Sequence, residues 1–307
     1  MIHPDHVFAY LIHQEVLYLA QMPQSKERHS PLTPVTSLIQ GIYQTHPEEA
    51  HTLIRNRIYT NQGQATALSY GMVKVAAKRI TYGAPSPTQP QTQPPPFTRV
   101  IHSEWKSPFQ LEAHFEGLLH REFSFLNPQA QVVDEHLSDE KWMEFTNALL
   151  TPSLSASSLR IPSWGSAPQT PAYTQDRSIA ALLVGPHPEH SREVILGVGF
   201  NTQSLNRTLH AEVNLVQNYH QRTGTGLPAY SKIFTTLKPC RMCAGMIWES
   251  AQDLQTLKVF YSKDDPGVHA CQTVLDFDSD DRRRFKMSGI PDRSEILFPL
   301  LSDVLTD

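Results

Sequence analysis

The sequence predicts an α/β fold, because apolar runs of strand length alternate with stretches of helical periodicity. In the C-terminal part the predicted order is strand, strand, helix, strand, helix, strand, which implies a sheet with parallel crossovers and helices packed on its faces. A chain of 307 residues is long enough for two domains of ordinary size. We therefore expect a C-terminal α/β domain preceded by a second domain of α/β or α+β type.

The first predicted elements are two strands around a short polar turn, in "VFAYLIHQEVLYLA", where Tyr and Val suit pleated packing. After them the sequence predicts helices over 47–58 and 64–80, a strand over 98–103 and an amphipathic helix over 107–126. This mixture predicts an N-terminal domain over 1–150, which carries no catalytic signature. One version of that expectation is a degenerate copy of the C-terminal fold.

Two segments have the composition of connectors. Residues 84–96 hold six prolines and predict an extended proline-rich loop within the N-terminal domain. Residues 151–176 are rich in Ser, Pro and Thr and lack sustained periodicity, so we expect an interdomain linker there. The second domain is then predicted over 177–307.

The C-terminal domain begins with two apolar runs, 178–184 and 194–200, that predict a hairpin. Helical spacing follows from Leu209 to His220. After it come the strand "KIFTTL", the helix "CRMCAGMIWESA" and the strand "LKVFYS". In such sheets the ligand crevice lies at the carboxyl ends of the strands and the amino ends of the helices.

Composition excludes several classes of protein. No apolar run approaches the ~18 residues that span a bilayer, so no membrane partner is expected. The N-terminus lacks the basic start and cleavage site of a signal peptide, and we expect a cytoplasmic location. The net charge of −4 gives no strongly basic body. Three cysteines, an odd and small number, argue against a disulfide framework and favour metal or redox chemistry.

The sequence pattern that indicates a catalytic or metal site is "TLHAEVNL" followed by "LKPCRMCAG". Seven His-x-Glu triplets occur in the chain, but only the one at His210 starts a helix and precedes a Pro-Cys-x-x-Cys sequence. Cys240 and Cys243 lie three apart at a helix start, which places both thiols on one face and favours thiolates. One imidazole and two thiolates leave an open position on a tetrahedral zinc. Glu212 is then positioned as the proton shuttle. The joint pattern is the signature of zinc base deaminases.

On these residues, the segment from about 177 to 270 resembles the cytidine-deaminase-like superfamily of zinc deaminases. "TTLKPCRMCAGMIWES" and "VFYSKDDPGVHA" are most similar to its tRNA adenosine deaminase and guanine deaminase branch, with a weaker similarity to an orphan deaminase of predatory bacteria that has an N-terminal extension. The resemblance implies a three-layer α/β/α domain with a mixed sheet and a Zn²⁺ cofactor. It also implies that His210, Cys240 and Cys243 are the zinc ligands and that Glu212 is the catalytic glutamate. Asn201 and the main chain at Ala211 would contact the base.

The resemblance implies deamination of adenosine or cytidine in tRNA or another nucleic acid. The sequence departs from the family pattern in three places, one of which is Lys238 where the family has Glu. A free base or nucleotide such as guanine therefore stays an alternative substrate. A noncatalytic binding module with a structural zinc, closed by Cys271, is the alternative from another class, although Cys271 is more typical of a small core residue. Relatives often complete their pockets with a second subunit. We therefore expect either a homodimer or a monomer whose N-terminal domain acts as the pseudo-partner.

Overall fold

The computed structural model describes residues 5–24, 29–77, 79–85, 97–100, 137–150, 177, 179–186, 193–203, 206–276 and 287–289. It contains two five-stranded mixed sheets with helices on their faces, which confirms the α/β class. The predicted linker over 151–176 and the predicted helix over 107–126 lie outside the described residues, as do 86–96 of the proline-rich loop.

The N-terminal half opens with the predicted hairpin. Strands β1 (His6–His13) and β2 (Val16–Pro23) pair antiparallel around Gln14 and Glu15, which both have positive φ, as a tight two-residue turn requires. The remaining elements of this half are α1 (Pro34–Thr45), α2 (Ala50–Leu53), β3 (Ile58–Thr60), α3 (Ala67–Ala76), β4 (Ile80–Thr81) and β5 (Phe97–Val100). They give the sheet order β4-β3-β1-β2-β5.

The C-terminal half consists of α4 (Asp139–Ala148), β6 (Ala180–Pro186), β7 (Glu193–Phe200), α5 (Ala211–Thr223), β8 (Lys232–Leu237), α6 (Arg241–Ser250), β9 (Lys258–Lys263) and β10 (Met287–Gly289). Its sheet order is β10-β9-β8-β6-β7, with β6 antiparallel to β7 and β8, and with β8, β9 and β10 parallel. Strand β8 has the predicted bounds of "KIFTTL", because a short apolar run between polar turns leaves little freedom of register.

Alternation along β6 sorts its side chains onto two faces of the sheet. Ala181 and Leu183 join the core under α5 and α6, whereas Ala180, Leu182 and Val184 face the other side. That other side is covered by α4, whose buried residues include Trp142 and Met143. The C-terminal half is therefore a three-layer α/β/α domain. Helix α4 packs on this sheet although it precedes the expected linker.

Local predictions in the N-terminal half were less accurate. The helix predicted over 47–58 was wrong except at Ala50–Leu53, since Ile58 already pairs in β3. Helix α1 was not predicted, because residues such as Ile39 and Ile42 have modest helix propensity. It forms because Thr33 and Thr36 make a capping box with Pro34 at the first helical position, and because its apolar residues are buried.

In the described residues, no helix combines the length and apolar character needed to cross a bilayer.

Candidate metal centre

Two helix starts meet at one edge of the C-terminal sheet. His210 is the N-cap residue of α5, and Cys240 is the N-cap residue of α6, which follows β8 after a short turn. Neither side chain makes a capping hydrogen bond, so both are free to point at a common ligand. Strand β7 comes close to α5 at Gly199, where a Cβ would lie 2.6 Å from the backbone nitrogen of Leu215. Glycine thus allows the strand to approach the first turns of the helix.

The donor atoms of His210, Cys240 and Cys243 converge on one point. His210 Nδ1 lies 3.6 Å from Cys240 Sγ and 3.5 Å from Cys243 Sγ, and the two sulfur atoms are 3.5 Å apart. Ligands held at about 2.0–2.3 Å in a tetrahedron lie roughly 3.5–3.8 Å from one another. The donor set and its spacing therefore fit a zinc ion. Among the described residues, this is the group of His, Cys, Asp and Glu side chains that can hold a metal.

The second ring nitrogen of His210 faces the side-chain amide of Gln203, within hydrogen-bond contact. The atom of Gln203 nearest to this ring nitrogen is its amide nitrogen Nε2. A neutral imidazole that coordinates through Nδ1 carries its proton on Nε2, so a half-turn of the Gln203 amide would place its oxygen to accept that proton. Such a bond fixes the tautomer and the orientation of the ring. Sequence reasoning missed Gln203, since no motif singles it out.

Electrostatics around the three donors favour a thiolate. The hydrogen bond from Cys243 and the neighbouring His210 lower the pKa of Cys240 well below its ordinary value. Burial raises the pKa of Cys243 instead. Burial also lowers the pKa of His210, but the charge of Cys240 outweighs it and the net direction is upward. The cluster is thus a buried site with one thiolate beside the imidazole, and a divalent cation would favour loss of the remaining protons from its donors.

Glu212 lies in the first turn of α5 and is buried, with 4% of its surface exposed. Burial raises the pKa of its carboxyl above the ordinary value. Thr235, on β8, places its hydroxyl 3.4 Å from Glu212 Oε1 and donates to Leu237 O at 3.1 Å. A raised pKa makes the ionised carboxylate a stronger base, so this side chain is suited to accept a proton and return it.

The loop after β7 carries Asn201, whose side chain is buried. Its Nδ2 donates to Arg177 O at 3.1 Å, while its Oδ1 has no hydrogen-bond partner in the described part of the chain. The adjacent Thr202 N donates to Leu209 O at 2.9 Å, which ties this loop to the start of α5. Ala211 is buried at the first position of α5, where a helix N–H has no intrahelical acceptor.

A cavity of about 480 Å³ opens beside the carboxyl ends of β8 and β9. Its wall includes Arg177, Leu237, Lys263 and Asp265, but none of His210, Cys240, Cys243 and Glu212. Two interactions connect it to these residues: the charge of Arg177 acts on His210, and Leu237 O accepts from the Thr235 hydroxyl, which also approaches Glu212. Its volume is within the roughly 300–1,000 Å³ typical of small-molecule sites.

The structure brings together the four residues of the predicted centre, and it excludes Cys271 from the group. Cys271 is exposed and its Sγ lies 4.0 Å from Gly267 O, so the prediction of a core cysteine was wrong, and it does not join the donors. The cysteine follows a short 3₁₀ turn at the surface, where a small apolar side chain has nothing to pack against. Met242 and Met246 of α6, by contrast, are fully buried.

Several solved structures are similar to this chain. A tRNA:A34 deaminase of A-to-I editing at the wobble position has 24% identity, with 36% of this chain and 80% of its own covered and a TM-score of 0.27. The guanine deaminase from Nitrosomonas europaea has 14% identity, covering 60% and 92%, with a TM-score of 0.35. The dCMP deaminase from the cyanophage S-TIM5 has 20% identity, covering 36% and 79%, with a TM-score of 0.24.

No curated protein matches the chain in sequence. Residues 170–286, less than half of the chain, match the family described as Bd3614-like deaminase. This segment includes the converging histidine and cysteines and the buried glutamate beside them. Residues 170–286 of the chain are therefore similar to a Bd3614-like deaminase domain.

Proposed function

We propose that the chain is a zinc-dependent hydrolytic deaminase of a nucleobase. The observation that carries the proposal is the convergence of His210 Nδ1 and the two sulfur atoms of Cys240 and Cys243 within 3.6 Å of one another, beside a buried carboxyl. These three side chains would hold the zinc ion and leave one coordination position open. A closed structural site would need a fourth protein ligand, which the described residues do not provide within the group.

When bound, zinc supplies Lewis-acid activation of a water molecule. Glu212 accepts the proton of the attacking water and delivers it to the ring nitrogen next to the carbon that carries the amino group. The carboxylate then takes the second proton, from the hydroxyl now on that carbon, and gives it to the amine, which leaves as ammonia while the carbon retains the water oxygen as a carbonyl. The hydroxyl of Thr235 is placed to hold the carboxyl in orientation.

The base would bind at the cluster. Asn201 Oδ1, which is buried and lacks a partner in the described chain, is suited to accept a hydrogen bond from the base, and the main chain at Ala211, the first residue of α5, is the other proposed contact. An unmade hydrogen bond of a buried acceptor costs roughly 1–3 kcal/mol, so a substrate that satisfies it is favoured.

We infer that the substrate is adenosine or cytidine in tRNA or another nucleic acid. Arg177 and Lys263 line the cavity and are cations suited to phosphate groups next to a flipped base. A free base has no phosphate to meet them. Turnover of guanine, adenine or cytosine as free bases, without inosine or uridine formation in RNA, would contradict this assignment.

Glu212→Gln tests the mechanism, because the amide keeps the shape of the side chain and cannot carry the proton. We expect zinc content to remain at one ion per chain and deamination to fall by about 10²- to 10⁴-fold. Glu48→Gln, an exposed position in the N-terminal half, serves as the matched control and should leave both quantities unchanged.

Wild-type turnover in the Glu212→Gln variant would show that Glu212 is not the proton shuttle. A chain that holds zinc but deaminates none of tRNA, single-stranded RNA and the free bases would support the noncatalytic binding module instead.

A further inference from the structure

The two halves of the chain have the same order of elements. Two strands form an antiparallel hairpin, a helix leads to a third strand antiparallel to the first, and a second helix leads to a fourth strand parallel to the third. The sheet orders β2-β1-β3-β4 and β7-β6-β8-β9 therefore correspond. In this correspondence α1 matches α5 and α3 matches α6.

The start of α1 matches the start of α5 position by position. Thr33 is the N-cap residue of α1 as His210 is of α5, and Val35 lies two residues after its cap as Glu212 does. The Thr33 hydroxyl accepts a hydrogen bond from Thr36 N at 3.1 Å. The N-terminal half thus has a capping hydroxyl and an apolar residue where the C-terminal half has the metal-binding imidazole and the buried carboxyl.

The second helix pair shows the same replacement. Thr66 is the N-cap residue of α3 and Ser69 lies three residues later, at the places of Cys240 and Cys243 in α6. Thr66 Oγ1 accepts from Ser69 N at 3.1 Å, and Ser69 Oγ accepts from Thr66 N at 3.1 Å. These hydroxyls satisfy the orphan N–H groups of a helix start. The N-terminal half thus has two capping hydroxyls at the positions of the two thiols.

The contact between the halves is reciprocal at α3 and α6. Gly71 and Gly245 each lie five residues after the N-cap of their helix. A Cβ on Gly71 would lie 2.8 Å from the carbonyl carbon of Arg241, the first residue of α6. A Cβ on Gly245 would lie 2.6 Å from the carbonyl carbon of Ala67, the first residue of α3. Each helix therefore rests against the first turn of the other.

A second reciprocal contact joins α1 to α5. Gln40 and Gln217 each lie seven residues after their N-cap, and both are buried. Gln40 Nε2 donates to Gln217 Oε1 at 3.1 Å, and Gln217 Nε2 donates to Gln40 Oε1 at 2.9 Å. Equivalent residues that bind each other are the mark of a two-fold axis.

The surface between the halves is apolar and continuous with both cores. Leu68 and Met72 of α3 and the equivalent Met242 and Met246 of α6 are all fully buried, and all four belong to one hydrophobic cluster. Obligate subunit interfaces have this character, whereas surfaces that only touch transiently are more polar.

We propose that the N-terminal half, residues 5–100, is a second and catalytically inert copy of the deaminase fold that serves as the built-in partner subunit of the C-terminal half. It fills the place of a second chain across the pseudo-two-fold axis. Because α3 rests on the first turn of α6, it also supports the turn that carries Cys240 and Cys243. The inference concerns architecture and holds whichever base is deaminated.

The first test compares Gly71→Ala with Gly63→Ala in the full chain. A methyl group on Gly71 meets the backbone of α6, whereas one on Gly63 meets nothing within 4 Å. We expect Gly71→Ala to weaken zinc retention against a chelator by about 10- to 100-fold, as loss of support behind metal ligands does, and to lower the unfolding midpoint of the whole chain. Gly63→Ala should change neither. Equal behaviour of the two variants in both measurements would overturn the proposal.

A second test does not depend on Gly71→Ala remaining folded. Gln40→Met and Gln217→Met each break the amide pair, and Gln40→Met also removes the hydrogen bond of Gln40 Nε2 to the Thr208 hydroxyl at 3.2 Å. We expect a larger midpoint shift for Gln40→Met than for Gln217→Met, and a shift for the double variant that is smaller than their sum. Additive shifts would show that the two residues do not form the reciprocal pair on which the axis rests.

Sedimentation decides whether the partner is within the chain. We expect a single species of one-chain mass, 34.7 kDa, at every concentration. A homodimer that Gly71→Ala dissociates would overturn the proposal, because the contact of α3 with α6 would then join two chains. If the wild-type chain binds no zinc, the proposed function fails, while the unfolding and sedimentation measurements still decide this inference.

Discussion

Substitution of Gly199 by alanine tests how tightly the sheet positions α5, the helix that His210 caps. The added Cβ would lie 2.6 Å from Leu215 N and 2.9 Å from Leu215 Cβ, and it would also contact the carbonyl oxygen of Ala211. Restoring ordinary contact with Leu215 N alone requires β7 and α5 to separate by ~0.8 Å, and the Ala211 carbonyl oxygen, which would lie nearer still, requires more than that. Overpacking of a core costs roughly 1–3 kcal/mol. Since two of the opposing atoms belong to backbone, we expect a loss near the upper end, about 3 kcal/mol.

The matched control is Gly197→Ala in the same strand. Its Cβ would lie 3.1 Å from Leu215 Cδ1, the end of a flexible side chain that can move. We expect a loss below about 1 kcal/mol there, since replacing a strand glycine also recovers part of its entropic cost. Denaturant unfolding of both variants, with and without zinc, measures the difference. Equal stabilities would refute the assignment of a close backbone approach at Gly199.

Three further predictions concern the centre itself. Gln203→Leu should weaken zinc affinity by about 10- to 100-fold by releasing the His210 ring, as a chelator competition would show; unchanged affinity would contradict the role of Gln203. Asn201→Ala should retain zinc and lower kcat/KM by about 10- to 100-fold, consistent with one hydrogen bond of roughly 1.5–3 kcal/mol; unchanged kcat/KM would exclude the base contact. Acidification should release zinc, because the raised pKa of His210 lets protons compete for the ring and the thiolates must also be protonated; an affinity that is flat between neutral and mildly acidic pH would contradict this ligand set.

The candidate centre could be predicted because its residues belong to two short sequence motifs that occur together. His210 alone was one of seven similar triplets, and only the later Cys240 and Cys243 distinguished it. Both helices follow strands whose ends meet at one edge of the sheet, so the order of elements was enough to predict that the side chains converge. Their roles as ligands and shuttle stay predictions until metal content and turnover are measured.

Residues that act through tertiary contact could not be predicted in this way. Thr235 reaches Glu212 from a neighbouring strand, and Gln203 reaches His210 from a loop, with no fixed spacing that marks either one. Gly71 and Gly245 look like ordinary helix-destabilising residues in sequence. Their role becomes clear only from the structure, which shows that the backbone of the opposing helix lies within contact distance of each glycine.

Helix α1 shows the other limit of sequence reasoning. Its β-branched residues favour strands in isolation, and the apolar spacing of the chain just after it suggested a helix in the wrong place. The capping box at Thr33 was present in the sequence, but Thr at the third position in place of Glu or Gln makes a weaker signal. Burial of nearly the whole helix then outweighs propensity, as is usual for helices of this length.

The N-cap residues of α5 and α6 make no capping hydrogen bond, so substitutions at these two positions can stabilise the helices. A Ser, Thr, Asp or Asn that bonds the first turn stabilises a helix by about 1 kcal/mol over a residue that does not. His210 and Cys240 make no such bond, a cost in helix stability that their proposed role as metal ligands would explain. Under the proposed duplication, an inert copy gains stability when hydroxyl caps take these positions, and Thr33 and Thr66 are such caps. In this chain the loss of a metal site and the gain of a helix cap would then be one and the same substitution.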